Sequence, residues 1–193
     1  SCNPTAPTST PSTTPTVSPS LSPDRVLIQA SSSGDLSDSW NYCADMASWL
    51  TTTGKHNCII ELPYNSGTPY TVQSATIDLI HPTGGDMETP LGITLRGVVD
   101  STGALPIIQD DNSNSVFIKL TKSSGSASNA ITITIENVIL ESFIYGPVIS
   151  VVGVENLIVN NSIIRDSAGA IGFATTNGNL TIQDTVLDTN SGG

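Results

Sequence analysis

The sequence predicts an all-β fold, a right-handed parallel β-helix (a solenoid), with an N-terminal capping α-helix and an extended tail resembling polyproline II. Three observations support this prediction. Short apolar segments recur at a nearly constant spacing in the last third of the chain. Only 12% of the residues are charged and 5% aromatic, while small polar residues are abundant, which suits short strands joined by Ser, Thr, Asn and Gly turns. Positions 1–24 are rich in Pro, Ser and Thr, unlike the rest.

The copies of the repeat begin at Ile133, Leu157 and Leu180. In each copy two apolar residues alternate with other residues, a polar amide or acid follows, and two more apolar residues come next. The period is roughly 23 to 24 residues, a length typical of a solenoid. Each coil would hold three short strands and three turns, and successive coils would stack about 4.8 Å apart.

Equivalent residues of stacked coils form columns. We expect one column in the core, one at a turn where amide side chains hydrogen-bond along the stack, and one facing outward. These columns are, respectively, Ile135, Val159 and Ile182; Asn137, Asn161 and Asp184; and Glu136, Asn160 and Gln183. Further strands are expected at 59–62, 70–72, 76–80, 93–96, 106–108, 116–120 and 131–135.

The chain divides into a tail (1–24), an N-terminal cap (25–58) and the β-helix (59–193). Within the cap we predict one helix over 37–54, begun by Ser37 or Asp38 and ended by Gly54. Its apolar face contains Trp40, Cys43, Ala47 and Leu50, widened by Met46 and Trp49. The two tryptophans are expected to be core anchors, with a sugar-stacking platform as the alternative.

The tail has a proline at every fourth position from Pro7 to Pro23. Proline favours polyproline II geometry, and Pro with Ser and Thr is the composition of O-glycosylated stalks. A disordered linker is the alternative. The candidate sites of O-glycosylation or hydroxyproline glycosylation are Thr5, Thr8, Ser9, Thr10, Ser12, Thr13, Thr14, Thr16, Ser18, Ser20, Ser22, Pro7, Pro11, Pro15, Pro19 and Pro23.

Residues 37–193 resemble the pectate-lyase-like superfamily of right-handed β-helices. The resemblance rests on the amphipathic helix, on the segments CIIELPYNSGTPYTV and GITLRGV, and on NLTIQDTVLDTNSGG, which looks like the repeats of β-helical surface proteins. It implies the fold and says little about function.

Many members of that superfamily are polysaccharide lyases or glycoside hydrolases, so we consider catalysis. Asp110 and Asp111 are the only adjacent acids, and Arg165 beside Asp166 is interpreted as a solvated pair. With Asn112 and Asn114, the two aspartates could offer oxygen ligands to Ca²⁺, but without any standard spacing. We therefore predict no catalytic residues, metal or cofactor.

Three cysteines lie outside any zinc spacing, and His56 and His81 do not complete a metal site. A disulfide between Cys43 and Cys58 is plausible because it would tie the predicted helix to the first strand, and the pairings Cys2–Cys58 and Cys2–Cys43 are also open. The cysteine left over is a free thiol or forms an intermolecular bond. Three buried thiols are the other interpretation.

The net charge of −11 disfavours nucleic acid and anionic membranes, and no apolar run is long enough to span a membrane. We interpret Ser1 as a mature N-terminus after removal of a signal peptide. N-glycosylation sequons occur at Asn160 and Asn179.

Together these features predict an extracellular structural glycoprotein at a cell surface or in a shed fibre. We expect it to assemble head to tail into a filament, with the tail lying on a neighbouring subunit. A carbohydrate-active β-helix enzyme is the alternative, as is a monomeric adhesin or wall domain that binds carbohydrate.

Overall fold

The structure is a computed structural model. It describes residues 25–29, 36–72, 76–78, 91–110, 118–121, 130–144, 147–174 and 178–188. The predicted tail, with Cys2 and all candidate O-glycosylation sites, lies outside these residues. So do His81, Asp111, Asn112 and Asn114.

Fifteen strands and two helices are present in the described part of the chain. The helices are α1 (Ser37–Ala44) and α2 (Met46–Thr53). The strands are β1 (Arg25–Gln29), β2 (Asn57–Pro63), β3 (Tyr70–Val72), β4 (Thr76–Asp78), β5 (Leu91–Val98), β6 (Ile107–Asp110), β7 (Ile118–Thr121), β8 (Ile131–Glu136), β9 (Ile139–Glu141), β10 (Pro147–Val152), β11 (Asn156–Asn160), β12 (Ile163–Arg165), β13 (Gly169–Ala174), β14 (Asn179–Gln183) and β15 (Val186–Asp188).

The strands form three parallel sheets. Sheet 1 has the order β1-β2-β5-β8-β11-β14, sheet 2 has the order β3-β6-β9-β12-β15, and sheet 3 has the order β4-β7-β10-β13. From β2 onward the chain enters sheets 1, 2 and 3 in strict rotation. Each strand therefore pairs with the strand three places earlier and three places later in this series. The all-β prediction is confirmed at this level: mostly strands, in parallel sheets, with little helix.

The register agrees with the predicted columns. Val159 pairs with Ile135 on one side and with Ile182 on the other, and Asn160 pairs with Glu136 and Gln183 in the same way. In the first half of the chain, the number of residues between paired positions is larger and unequal. Ile60 pairs with Leu95, and Leu95 pairs with Ile135.

One apolar core lies along the three sheets. In sheet 1, alternate residues of β8 and β11 are buried, as period-2 patterning requires. Sheet 2 contributes Ile108, Leu140 and Ile164, and β10 of sheet 3 contributes Val148, Ile149 and Val151. Tyr70 is buried as well. Its hydroxyl donates to the carbonyl oxygen of Pro63 at 2.7 Å, and burial raises its pKa.

The predicted single helix over 37–54 is divided in two at Asp45. This residue has a non-helical ψ of 69°, and its Oδ1 accepts a hydrogen bond from the Ser48 amide at 3.0 Å, so it begins a second helix. The predicted side-chain cap at Ser37 or Asp38 is wrong, since Leu36 occupies the cap position of α1 and no side chain caps it.

The break also changes which residues face the core. Met46 is completely buried, whereas Ala47 is only partly buried. Trp40 and Trp49 are both buried, which fits the expected core anchors, and Trp49 Nε1 donates to the Cys43 carbonyl oxygen at 2.9 Å.

A disulfide joins Cys43 in α1 to Cys58 in β2. This is one of the three pairings that the sequence leaves open. It ties the helical segment to sheet 1 across a separation of 15 residues, a loop for which a disulfide contributes about 3 kcal/mol.

Residues 25–29, which we assigned to the cap without predicting a strand, form β1. This strand pairs in parallel with β2 from Arg25 opposite Asn57 to Gln29 opposite Glu61. Sheet 1 therefore extends through the region of the predicted cap.

Candidate functional site

The outer face of sheet 1 is the longest patterned surface of the described residues. Because the strands are parallel and in register, outward side chains align in columns about 4.8 Å apart. The outer columns from β2 to β14 are Asn57, Gly92, Thr132, Asn156 and Asn179; Ile59, Thr94, Thr134, Ile158 and Thr181; and Glu61, Arg96, Glu136, Asn160 and Gln183.

A shallow groove on this face has an ion-pair cluster at one wall. The Arg96 guanidinium lies 3.3 Å from a Glu61 oxygen and 3.7 Å from a Glu136 oxygen. Arg96 and Glu136 line the groove together with Asn57, Ile59, Thr94 and Thr134.

The two carboxylates of this cluster are relevant to the alternative hypothesis that the chain is a carbohydrate-active enzyme. Glycoside hydrolases use a pair of carboxyl groups, and Glu61 and Glu136 lie on strands two places apart, with about 10 Å between their backbones. Arg96 occupies the space between them, where such an enzyme must hold the glycosidic oxygen and a water. The cluster therefore links three strands of sheet 1 and is poorly arranged for hydrolysis.

A second charged column crosses sheet 2, and it changes our interpretation of Arg165. The Arg165 guanidinium lies 2.6 Å from Glu141 Oε2, whereas Asp166, the partner expected from sequence, is at 3.9 Å. Gln109 Nε2 donates to the other oxygen of Glu141. Glu141 is 9% exposed, so these bonds compensate for its removal from water.

We predict that Arg165→Met lowers the free energy of unfolding by about 1–2 kcal/mol, because the buried Glu141 loses a charged partner. Urea unfolding followed by circular dichroism measures this. The double variant Arg165→Met with Glu141→Leu should recover part of the loss. Asp188→Asn, at the exposed position next to Arg165 in register, is the matched control and should stay within about 0.5 kcal/mol of the parent. A parent-like stability of Arg165→Met would contradict this role.

The predicted turn column is present between sheets 1 and 2. Asn137, Asn161 and Asp184 all have positive φ, of 59°, 43° and 47°. Asn161 Nδ2 donates to Asn137 Oδ1 at 2.7 Å, so the amides bond along the stack as expected. Asparagine and aspartate tolerate this left-handed conformation better than other non-glycine residues, which accounts for their presence at the turn.

Both sequon asparagines face outward from sheet 1 on neighbouring strands. Asn160 ends β11 and is partly buried, while Asn179 begins β14 and is exposed. Asn179 Nδ2 donates to Asn156 Oδ1 at 3.2 Å. The hydroxyl residues of the two sequons differ: Ser162 is 1% exposed, and Thr181 is exposed.

The remaining sequence candidates do not come together. Asp110 ends β6 and is mostly buried, and its neighbour Asp111 lies outside the described residues. The carbonyl oxygen of His56 accepts from the Gly92 amide at 3.0 Å, just before β2. No group of three or more metal-ligating side chains occurs among the described residues.

An apolar edge lies at β14 and β15, and it includes Ile182, which the sequence predicts in the core column but which is exposed. Leu180, Ile182 and Leu187 are 41–44% exposed. Their register partners Leu157, Val159 and Ile164 are completely buried. The exposed residues thus continue core columns at an edge where the described residues provide no further strand to cover them.

Comparisons of the chain with protein-family models, curated proteins and solved structures find no match. Neither α1 nor α2, the helices of the described segments, is long and apolar enough to cross a membrane.

Proposed function

We propose that this chain is an extracellular structural protein whose copies join end to end into a filament. The observation that carries the proposal is the apolar edge, Leu180, Ile182 and Leu187, which stands in core columns that are otherwise buried. Exposed edge strands with apolar side chains favour pairing with another strand. The Cys43–Cys58 disulfide and the two sequons support an oxidising, extracellular setting.

For the fold, we propose that the three sheets are the three faces of a right-handed parallel β-helix of the pectate-lyase-like kind. The strict rotation of the chain through sheets 1, 2 and 3 supports this arrangement. We propose a right-handed β-helix because connections between parallel strands of one sheet are strongly biased to be right-handed.

The partner at the apolar edge is, we propose, β1 of a second copy. Among the described strands, β14 and β1 are the two edges of sheet 1, and both have five residues. Following the register through the sheet places Val26 at the position of Leu180 and Ile28 at that of Ile182. A second copy's β1 added to β14 would therefore continue both core columns of sheet 1.

Sugars are compatible with this contact. Asn160 and Asn179 face outward from sheet 1, so glycans there would leave the strand edges open. We propose that the 1–24 tail carries further sugars and lies on the neighbouring copy. Such a heterologous contact does not close on itself and generates a filament.

Cryo-electron microscopy and sedimentation velocity of the secreted full chain test the proposal. We expect filaments with an axial repeat of about 29 Å, from six sheet 1 strands at about 4.8 Å each. Single particles at all concentrations up to about 1 mM would reject end-to-end assembly and favour the monomeric adhesin.

A further inference from the structure

We propose that the two sequons are glycosylated at different stages: Asn160 only before its turn has folded, and Asn179 in the folded protein as well. The inference rests on the extracellular route proposed above. It follows from the surroundings of the hydroxyl groups, since an N-glycosyltransferase must bind the Ser or Thr two residues after the acceptor asparagine.

At Asn160 the hydroxyl group is built into the fold. Ser162 Oγ donates to the Asn160 carbonyl oxygen at 2.8 Å. The Val138 amide of the preceding coil lies 3.4 Å from Ser162 Oγ, close enough for a hydrogen bond. Ser162 is 1% exposed, so the folded chain leaves no surface by which an enzyme could hold this hydroxyl.

The backbone between the two residues is equally constrained. Asn161 has a φ of 43°, and its side chain is bonded to Asn137. The preceding strand, β11, is paired with β8 on one side and β14 on the other. Presenting Asn160 to an enzyme would require separation of two strand pairs and of the turn column.

Asn179 is in a different position. Asn179 and Thr181 are both exposed, and β14 is an edge strand of sheet 1 among the described strands. Only its pairing with β11 must open locally, and edge strands open at a lower free-energy cost than internal ones.

The transfer itself is the same at both sites. The asparagine Nδ2 forms a bond to C1 of the sugar of a lipid-linked glycosyl diphosphate, the C1–oxygen bond to the diphosphate breaks, and the amide proton passes to a base of the enzyme. The lipid diphosphate is the leaving group.

The test uses purified oligosaccharyltransferase and a lipid-linked oligosaccharide donor, with the full chain either folded or reduced and unfolded in a urea concentration that the enzyme tolerates. Mass spectrometry of peptides measures occupancy at each asparagine over time. In the unfolded chain we expect both sites to react. In the folded chain we expect Asn179 to react at least about tenfold faster than Asn160.

Two variants provide controls. Ser162→Thr keeps the sequon and should remain protected in the folded chain, while Thr181→Ala should remove only the modification at Asn179. Equal rates at both sites of the folded chain would overturn the proposal, as would protection of Asn179, or failure of both sites in the unfolded chain. Each result is obtained without secretion or filaments, so it stays separate from the test of the proposed function.

Discussion

Ile182→Asp is expected to abolish end-to-end association, whereas Gln183→Asp on the same strand should leave it intact. Ile182 lies in a core column behind Val159, and Gln183 lies in the outward column behind Asn160. Both substitutions add one negative charge to β14. Only the first places that charge in a core column that the second copy would cover.

The expected effect is large because a buried carboxylate without a partner is costly. Mutational data give several kcal/mol for such groups, and about 4 kcal/mol corresponds to a loss of about a thousandfold in association constant. In the free chain Ile182 is 41% exposed, so the substitution should destabilise the single copy by about 1–2 kcal/mol, less than it costs in the covered contact.

Sedimentation velocity over a range of concentrations measures association, and thermal unfolding of the single copy shows that both variants remain folded. The parent should associate more strongly as salt is raised, because each copy carries a net charge of −11 and salt screens the repulsion. Association of Ile182→Asp at the parent's level would exclude the β14 edge as the contact.

The C-terminal columns could be predicted because their spacing is regular. The nearly equal offsets between successive copies place Asn137, Asn161 and Asp184 at one turn, and the bond from Asn161 to Asn137 follows from that stacking. The same offset could have identified the Glu141–Arg165 pair, since these two residues are 24 apart. Adjacency along the chain instead favours Asp166 as the partner of Arg165, although its carboxylate lies farther away than that of Glu141.

The first half could not be predicted in the same way. The offset from Ile60 to Leu95 differs from that between Leu95 and Ile135, so the repeat does not appear in the sequence. Short apolar segments identified β2 to β7 but neither β1 nor the pairing of these strands. The division of the predicted helix at Asp45 could not be predicted either. It depends on whether the Asp45 side chain caps a new helix or faces solvent, and the sequence does not distinguish the two.

Gly97→Ala is expected to destabilise the protein by more than about 4 kcal/mol, or to prevent folding. A Cβ atom at Gly97 would lie 1.8 Å from the carbonyl oxygen of Asn137 and 2.7 Å from Pro106 Cγ. Real Cβ contacts are essentially never shorter than 3.0 Å, so the backbone at Asn137 would have to move.

That backbone is held by the end of β11 and the turn that follows it. The Asn137 amide donates to the Asn160 carbonyl oxygen at 3.2 Å, and its side chain accepts from Asn161. Displacing the Asn137 turn would therefore disturb the turn column as well as β5. Close approach of two backbones is a reason for glycine within a strand.

Gly172→Ala in β13 is the matched control, because the nearest atom to its Cβ would be Pro147 Cγ at 3.4 Å. We expect this variant to stay within about 1 kcal/mol of the parent. Urea unfolding followed by far-ultraviolet circular dichroism compares the two. Tryptophan fluorescence should show the same transition, since Trp40 and Trp49 lie in the same core. Equal stability of Gly97→Ala and Gly172→Ala would mean that the turn at Asn137 can move without loss, and that the turn column is not a rigid part of the fold.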